Sequence, residues 1–158
     1  MIKKDWVFIK EVDIATKDDL DEILKLQKLA YQSEAAIYND YGILPLTQTL
    51  EELKEEAKSS IVLKIIQDRK IVGSVRAFEK DGTCYIGRLI VHPDYQNRGI
   101  RKKLMHAIEG CFRGARYELF TGHLSDKNLA LYEKLGYKRF RAQDITDNLK
   151  FIYLEKDE

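Results

Sequence analysis

The chain predicts an α/β domain, a mixed and mostly antiparallel β-sheet flanked by helices, and three observations carry that prediction. Residues 61–66, 71–78 and 84–91 are apolar or alternating runs separated only by short turns at 67–70 and Asp81-Gly82, which makes them antiparallel neighbours. A helix-period stretch then separates 84–91 from the next strand, 116–121, so these two run parallel through a right-handed crossover. Upstream, Thr16-Lys-Asp-Asp19 and Thr49-Leu-Glu-Glu52 both carry the spacing of a helix capping box.

At 158 residues the chain fits one domain, 1–158, large enough to bury a core without metals or disulfides. Lys+Arg total 27 and Asp+Glu 26, a net charge of +1 that gives no global electrostatic case for nucleic acid or an anionic membrane. Basic character is local, at 98–103 and more weakly at 134–141. Cys84 and Cys111 sit inside apolar patterns without ligand-like spacing, which favours reduced, buried thiols. No window approaches a membrane span and the amino terminus has no export-length apolar segment, so a cytoplasmic protein is expected.

In chain order, 6–12 alternates as a first strand, and the Thr16 signal opens a helix carrying Leu20, Ile23, Leu24, Ala30 and Tyr31. In 32–48, Gly42 and Pro45 break any regular element, leaving a loop whose Tyr38 and Tyr41 either cover a pocket or pack on the sheet. The Thr49 signal opens a second short helix to about residue 59. After the three strands, Ile100, Leu104 and Ile108 mark one face of a basic helix. A helix at about 126–135 ends at Gly136, and 137–142 and 151–154 form a final hairpin around a loose polar loop, QDITDN. Its edge could pair across a homodimer or be protected by charge in a monomer.

The segment of greatest chemical interest is 83–110. Its strand ends at Val91, and Gln96-Asn97-Arg98-Gly99 leads into the helix, whose first backbone N–H groups lack partners. With Arg98, Arg101, Lys102 and Lys103 around them, those groups suit an anionic, phosphate-bearing ligand. The crevice where parallel strands part is a common ligand site. His92, His106 and His123 form no metal motif with nearby carboxylates, and no metal is required.

Val91-His-Pro-Asp-Tyr-Gln-Asn-Arg-Gly99 resembles the acetyl-coenzyme A motif of the GCN5-related N-acetyltransferases (GNAT), and Asn128-Leu-Ala-Leu-Tyr132-Glu-Lys-Leu-Gly136-Tyr137 resembles the family's second motif. The resemblance implies the acyl-CoA N-acyltransferase fold. It also implies transfer of an acetyl group from acetyl-CoA to a primary amine in a ternary complex. On that likeness, amides from Arg98 through Gly99, Ile100, Arg101 and Lys102, with Gln96 and Asn97 in the same loop, wrap the pyrophosphate. The backbone of Leu89, Ile90 and Val91 meets the pantetheine arm and the thioester oxygen, Asn128 contacts the cofactor, and Tyr132 is the general acid. Arg101 stands where the motif carries a small residue, so its side chain must swing away or itself contact phosphate.

The residues alone also admit plainer readings. Tyr132 shares a helical face with Leu129 and Leu135, as a core tyrosine would, and Asn128 could be a cap. Glu79 is the leading side chain for general base, with a water relay through backbone carbonyls or His123 as the rival. Asp40, Glu34 and Glu79 could form an acidic mouth for a cationic amine, a small molecule first and a protein amine second. The alternative function is a non-catalytic acyl-CoA binding or sensing module on the same fold.

Overall fold

The computed structural model describes residues 11–157. Part of the first strand expected at 6–12 therefore lies outside the described residues. The described chain opens with β1 (Val12–Ile14) and a 3-10 turn at Lys17–Asp19, in which the Thr16 capping box forms and Thr16 N–H donates to Asp19 Oδ2 at 2.7 Å. Then follow α1 (Leu20–Ala30), α2 (Gln32–Tyr38), α3 (Leu44–Thr47), α4 (Leu50–Ala57), β2 (Ile61–Gln67), β3 (Lys70–Lys80), β4 (Thr83–Val91), α5 (Ile100–Cys111), β5 (Arg116–Gly122), α6 (Asp126–Lys134), β6 (Lys138–Thr146) and β7 (Leu149–Asp157). Among the described residues no helix is long and apolar enough to cross a membrane.

Two expectations change. The 32–48 loop contains α2 and α3. Asn39, left-handed at φ 49°, caps the first, and Pro45 sits in the opening turn of the second, where its missing N–H costs nothing. The final hairpin has no loose loop: β6 and β7 pair through Thr146↔Leu149, so QDIT continues the strand. Its alternating polar pattern reads as loop by composition, but it follows an edge strand whose residues are all exposed.

The seven strands lie in the order β1-β2-β3-β4-β5-β7-β6. All pairs are antiparallel except β4 with β5, as the crossover requires. Helix α5 covers one face through Ile100, Leu104, Met105, Ala107 and Ile108, against Val72, Val75, Ile86 and Val91. The other face is covered by α1 and α4, where Leu20, Ile23, Leu24 and Leu53 meet Val62, Ile71 and Ile90. Gly73 sets the height of α5: a Cβ there would lie 2.8 Å from Ile100 Cγ2 and 3.1 Å from Leu104 Cδ1. Buried Cys84 and Cys111 are free thiols, and burial pushes the Cys111 thiol up to about 11.

Candidate active site at the parting of two strands

Strands β4 and β5 pair only over Thr83–Tyr85 with Arg116–Glu118. Beyond that point they separate, because β4 bulges: Ser74 faces Ile90 and Arg76 faces Gly87, so Arg88 and Leu89 together oppose Val75. Arg88 takes up the extra residue in the left-handed region, at φ 52°. The parted strands open a gap through the sheet, and side chains from its two faces meet there.

From one face, α2 brings Glu34 and Tyr38. From the other, β5, α6 and the turn between them bring Thr121, Ser125, Asn128 and Tyr132. Glu34 accepts from Asn128 Nδ2 at 2.8 Å and from Ser125 Oγ at 2.7 Å. Asn128 also donates to Thr121 Oγ1 at 3.1 Å, and its Oδ1 accepts from Arg101 Nη2. Because Ser125 Oγ spends its proton on Glu34, the Tyr38 hydroxyl donates to Ser125 at 2.7 Å and accepts from Leu124 N–H at 3.0 Å. Gly122 makes room for this: a Cβ there would stand 2.0 Å from the Tyr38 hydroxyl oxygen. Tyr38 thus packs and hydrogen-bonds beside the gap, whereas Tyr41 is 55% exposed.

Tyr132 is 7% exposed at this junction. Burial pushes its phenol up to about 12, opposed by the adjacent Arg101 and reinforced by the charges of Tyr31 and Glu34. It is therefore protonated at neutral pH and can give a proton to a departing thiolate. Tyr31, at the junction of α1 and α2, is also raised by burial, against the pull of Arg88 and Arg76.

The loop before α5 supplies the anion-facing end. Asn97 and Gly99 are left-handed, at φ 62° and 78°, and a Cβ on Gly99 would meet nothing within 4 Å. Lys103 N–H makes the first helical bond, to Gly99 O at 3.1 Å, so the N–H groups of Ile100, Arg101 and Lys102 precede the helical ladder. Gln96, Asn97, Arg98, Gly99 and Lys102 are exposed, and the Arg98 guanidinium stacks 4.9 Å over the Tyr95 ring. The arrangement fits a pyrophosphate: open backbone, free amides and flanking cations. Arg101 turns its side chain away from the loop toward Asn128, so its backbone N–H stays available while its guanidinium joins the tyrosine cluster.

The structure groups Arg101, Asn128 and Tyr132 at the gap, with Leu89, Ile90 and Val91 forming its β4 wall, Ile90 and Val91 being paired to β3. Glu79 stands apart: it is exposed and pairs with Cys84, near the β3–β4 turn and at the closed end of the β4–β5 pair. His123 is held by Lys150, whose N–H donates to its Nδ1 at 2.9 Å. Sequence reasoning missed Tyr31, Arg76 and Arg88. One signal was present: Arg88 is the single charge inside the run CYIGRLIV. Arg76 is 3% exposed and is satisfied by Glu56, by Gln27 Oε1 at 2.9 Å and by Gln48 Oε1 at 3.1 Å. Burial would push Glu56 up, but Arg76 outweighs it and holds the carboxyl below its usual range.

Residues 58–139 match the acetyltransferase (GNAT) domain model. An uncharacterised N-acetyltransferase, ycf52, of Porphyra purpurea is 31% identical over 123 residues, covering 70% of this chain and 71% of that protein. Among solved structures, the PaiA N-acetyltransferase of Thermoplasma acidophilum, crystallised with coenzyme A, superposes with a TM-score of 0.76 at 17% identity, covering 93% of this chain and 99% of the other. The ribosomal-protein-S18-alanine N-acetyltransferase of Escherichia coli also gives 0.76, at 15% identity over 92% of both chains.

Proposed function

The chain belongs to the GNAT acetyltransferase family, whose acyl donor is acetyl-CoA, and from that premise we propose that it acetylates the primary amine of a small molecule by direct transfer in a ternary complex. The observation that carries this reading is the gap between β4 and β5, where Tyr132, Asn128 and Arg101 from one face of the sheet meet Glu34 from the other. Bound acetyl-CoA supplies an activated acyl carbon. The chain's own residues must orient it, shift protons and exclude water.

The amides of Ile100, Arg101 and Lys102 receive the pyrophosphate, with Gln96, Asn97, Arg98 and Gly99 forming the turn around it. Backbone groups of Leu89, Ile90 and Val91, beside the bulge, line the acyl arm. Asn128 fixes the far wall through Arg101 and Glu34. The ammonium must lose a proton to water before its nitrogen can bond to the acyl carbon and a second afterwards. As the carbon–sulfur bond breaks, Tyr132 would give its proton to the leaving sulfur and be reprotonated from water. Glu34, held by Ser125 and Asn128, is the carboxylate placed to steady the incoming ammonium, a role for which the position of Glu79 gives less support.

The test is acetyl-CoA titration followed by thiol release across a panel of small primary amines. Saturation at micromolar cofactor with amine-dependent thiol release is expected. Binding without release from any amine would favour the non-catalytic acyl-CoA module, and absence of binding at millimolar cofactor would sink both readings.

A further inference from the structure

Arg88 has no partner equal to its charge. Its Nε is buried without a hydrogen bond, and no carboxylate among the described residues lies within ion-pairing distance of it. The guanidinium carbon lies 6.0 Å from the centre of the Tyr31 ring and its side chain hydrogen-bonds the Tyr31 phenol, a neutral partner that leaves the charge uncompensated. The nearby carboxylate of Glu56 is taken up by Arg76, accepting from both its Nε and its Nη2, the latter at 3.2 Å, and acts on Arg88 only from beyond ion-pairing distance. Glu34 is committed to Ser125 and Asn128. A half-buried arginine left uncompensated is costly, and here it also adopts a left-handed backbone at φ 52° within a strand.

The position of that cost is informative. Arg88 occupies the bulge that parts β4 from β5, on the α1 side of the sheet, beside the gap in which transfer is proposed. Tyr31 is the N-cap of α2 and Glu34 lies three residues on, in the first turn of that helix, so the cation over the Tyr31 ring and the carboxylate one turn further along stand beside the same gap. A ligand complementary to this pair carries an ammonium and a carboxylate close together.

We infer that the acceptor is a small amine bearing a carboxylate, an amino-acid-like molecule whose carboxylate pairs with Arg88 while its amine faces Glu34 and the acyl carbon. This rests on the transfer reading above and specifies its substrate class. In the reaction the ammonium first loses a proton to water, and the neutral amine nitrogen then bonds to the acetyl carbon as the carbon–sulfur bond breaks. The sulfur takes the Tyr132 proton, and the second proton shed by the nitrogen passes through water and restores the Tyr132 phenol. The carboxylate is unchanged and serves only to orient.

The experiment uses matched sets: amino acids, their amides and the corresponding decarboxylated amines, assayed by thiol release with saturating acetyl-CoA. The carboxylated members should be preferred by about 10²-fold in kcat/KM, because the amides leave Arg88 buried and unpaired. Arg88→Gln should erase the preference and Arg88→Lys should retain part of it, while acetyl-CoA affinity stays constant and so reports that the fold is intact. In parallel, binding of N-acetylated amino acids and of their amides to the CoA complex is measured by calorimetry. Arg88-dependent binding of the carboxylate form without any turnover would uphold Arg88 as the carboxylate-reading group and overturn the transfer reading. Turnover indifferent to the carboxylate, a preference that survives Arg88→Gln, or no carboxylate-dependent binding at millimolar ligand would overturn the inference itself.

Discussion

Tyr132 and Arg101 show how single side chains acquire roles from neighbours. With its phenol pushed up to about 12 by burial, Tyr132 stays protonated across the working range. Tyr132→Phe should lower kcat by about 10²-fold with little change in acetyl-CoA affinity. Any alkaline fall in wild-type rate below about pH 11 should come from another group. Rate–pH profiles of both proteins check this, and an unchanged kcat in the variant would remove Tyr132 from the chemistry. Arg101, its side chain bonded to Asn128, has its backbone N–H as the group offered to a pyrophosphate in the proposed site. Arg101→Ala should therefore leave acetyl-CoA affinity within about threefold while costing about 1–2 kcal/mol of stability through the lost charge-assisted bond. Isothermal titration and urea unfolding measure the two effects separately.

At the scale of elements, the placement of α5 depends on β3. The contact of Gly73 with Ile100 and Leu104 lets the helix start sit low on the sheet. Gly73→Ala should push that start outward, costing about 1–3 kcal/mol and weakening acetyl-CoA binding several-fold, although residue 73 does not belong to the pyrophosphate loop. Unaltered affinity in a destabilised variant would show that the loop adjusts independently of the helix. The same scale explains which parts of the site could be read in advance. Gln96 to Gly99 and Asn128 to Tyr132 are local motifs, and their chemistry follows from a helix start and a helix face. The bulge at Arg88, the pairing of Arg76 with Glu56 and the meeting of Glu34 with Asn128 join residues 20 to 94 positions apart or depend on strand register, which no local spacing encodes.

Over the whole molecule, stability at the extremes of pH should follow two sets of groups. Burial would push Asp19 up, but Lys64 and the Thr16 backbone outweigh it, and Glu56 is likewise depressed by Arg76. Depressed carboxyls bind fewer protons folded than unfolded, so their contribution is complete above about pH 4 and is lost as pH falls through their lower folded values. Tyr31, Tyr132 and Tyr137 are raised, each mainly by burial. Their contribution is complete below about pH 10 and is lost as pH rises toward their folded values. Urea midpoints should form a plateau between these limits and fall on both sides. A midpoint that climbs above pH 10 would contradict the tyrosine assignment. Glu56→Ala should cost about 2–3 kcal/mol by stranding buried Arg76, less than a fully enclosed pair because the Glu56 side chain is 39% exposed.

By itself the sequence determined the order of strands and helices from β2 onward, the antiparallel hairpins and the parallel crossover. Turn chemistry, hydrophobic period and connection length are local, and the chain's handedness does the rest. It also determined the anion-facing loop, since orphan amides at a helix start are a property of any helix. The tertiary structure alone decided that the sheet opens at Arg88, that Arg101 turns toward Asn128, and that Glu34 rather than Glu79 stands in the gap. Those outcomes depend on one extra residue in β4 and on which charges remain unpaired once every other partner has been assigned, and both are settled only when the whole sheet is assembled.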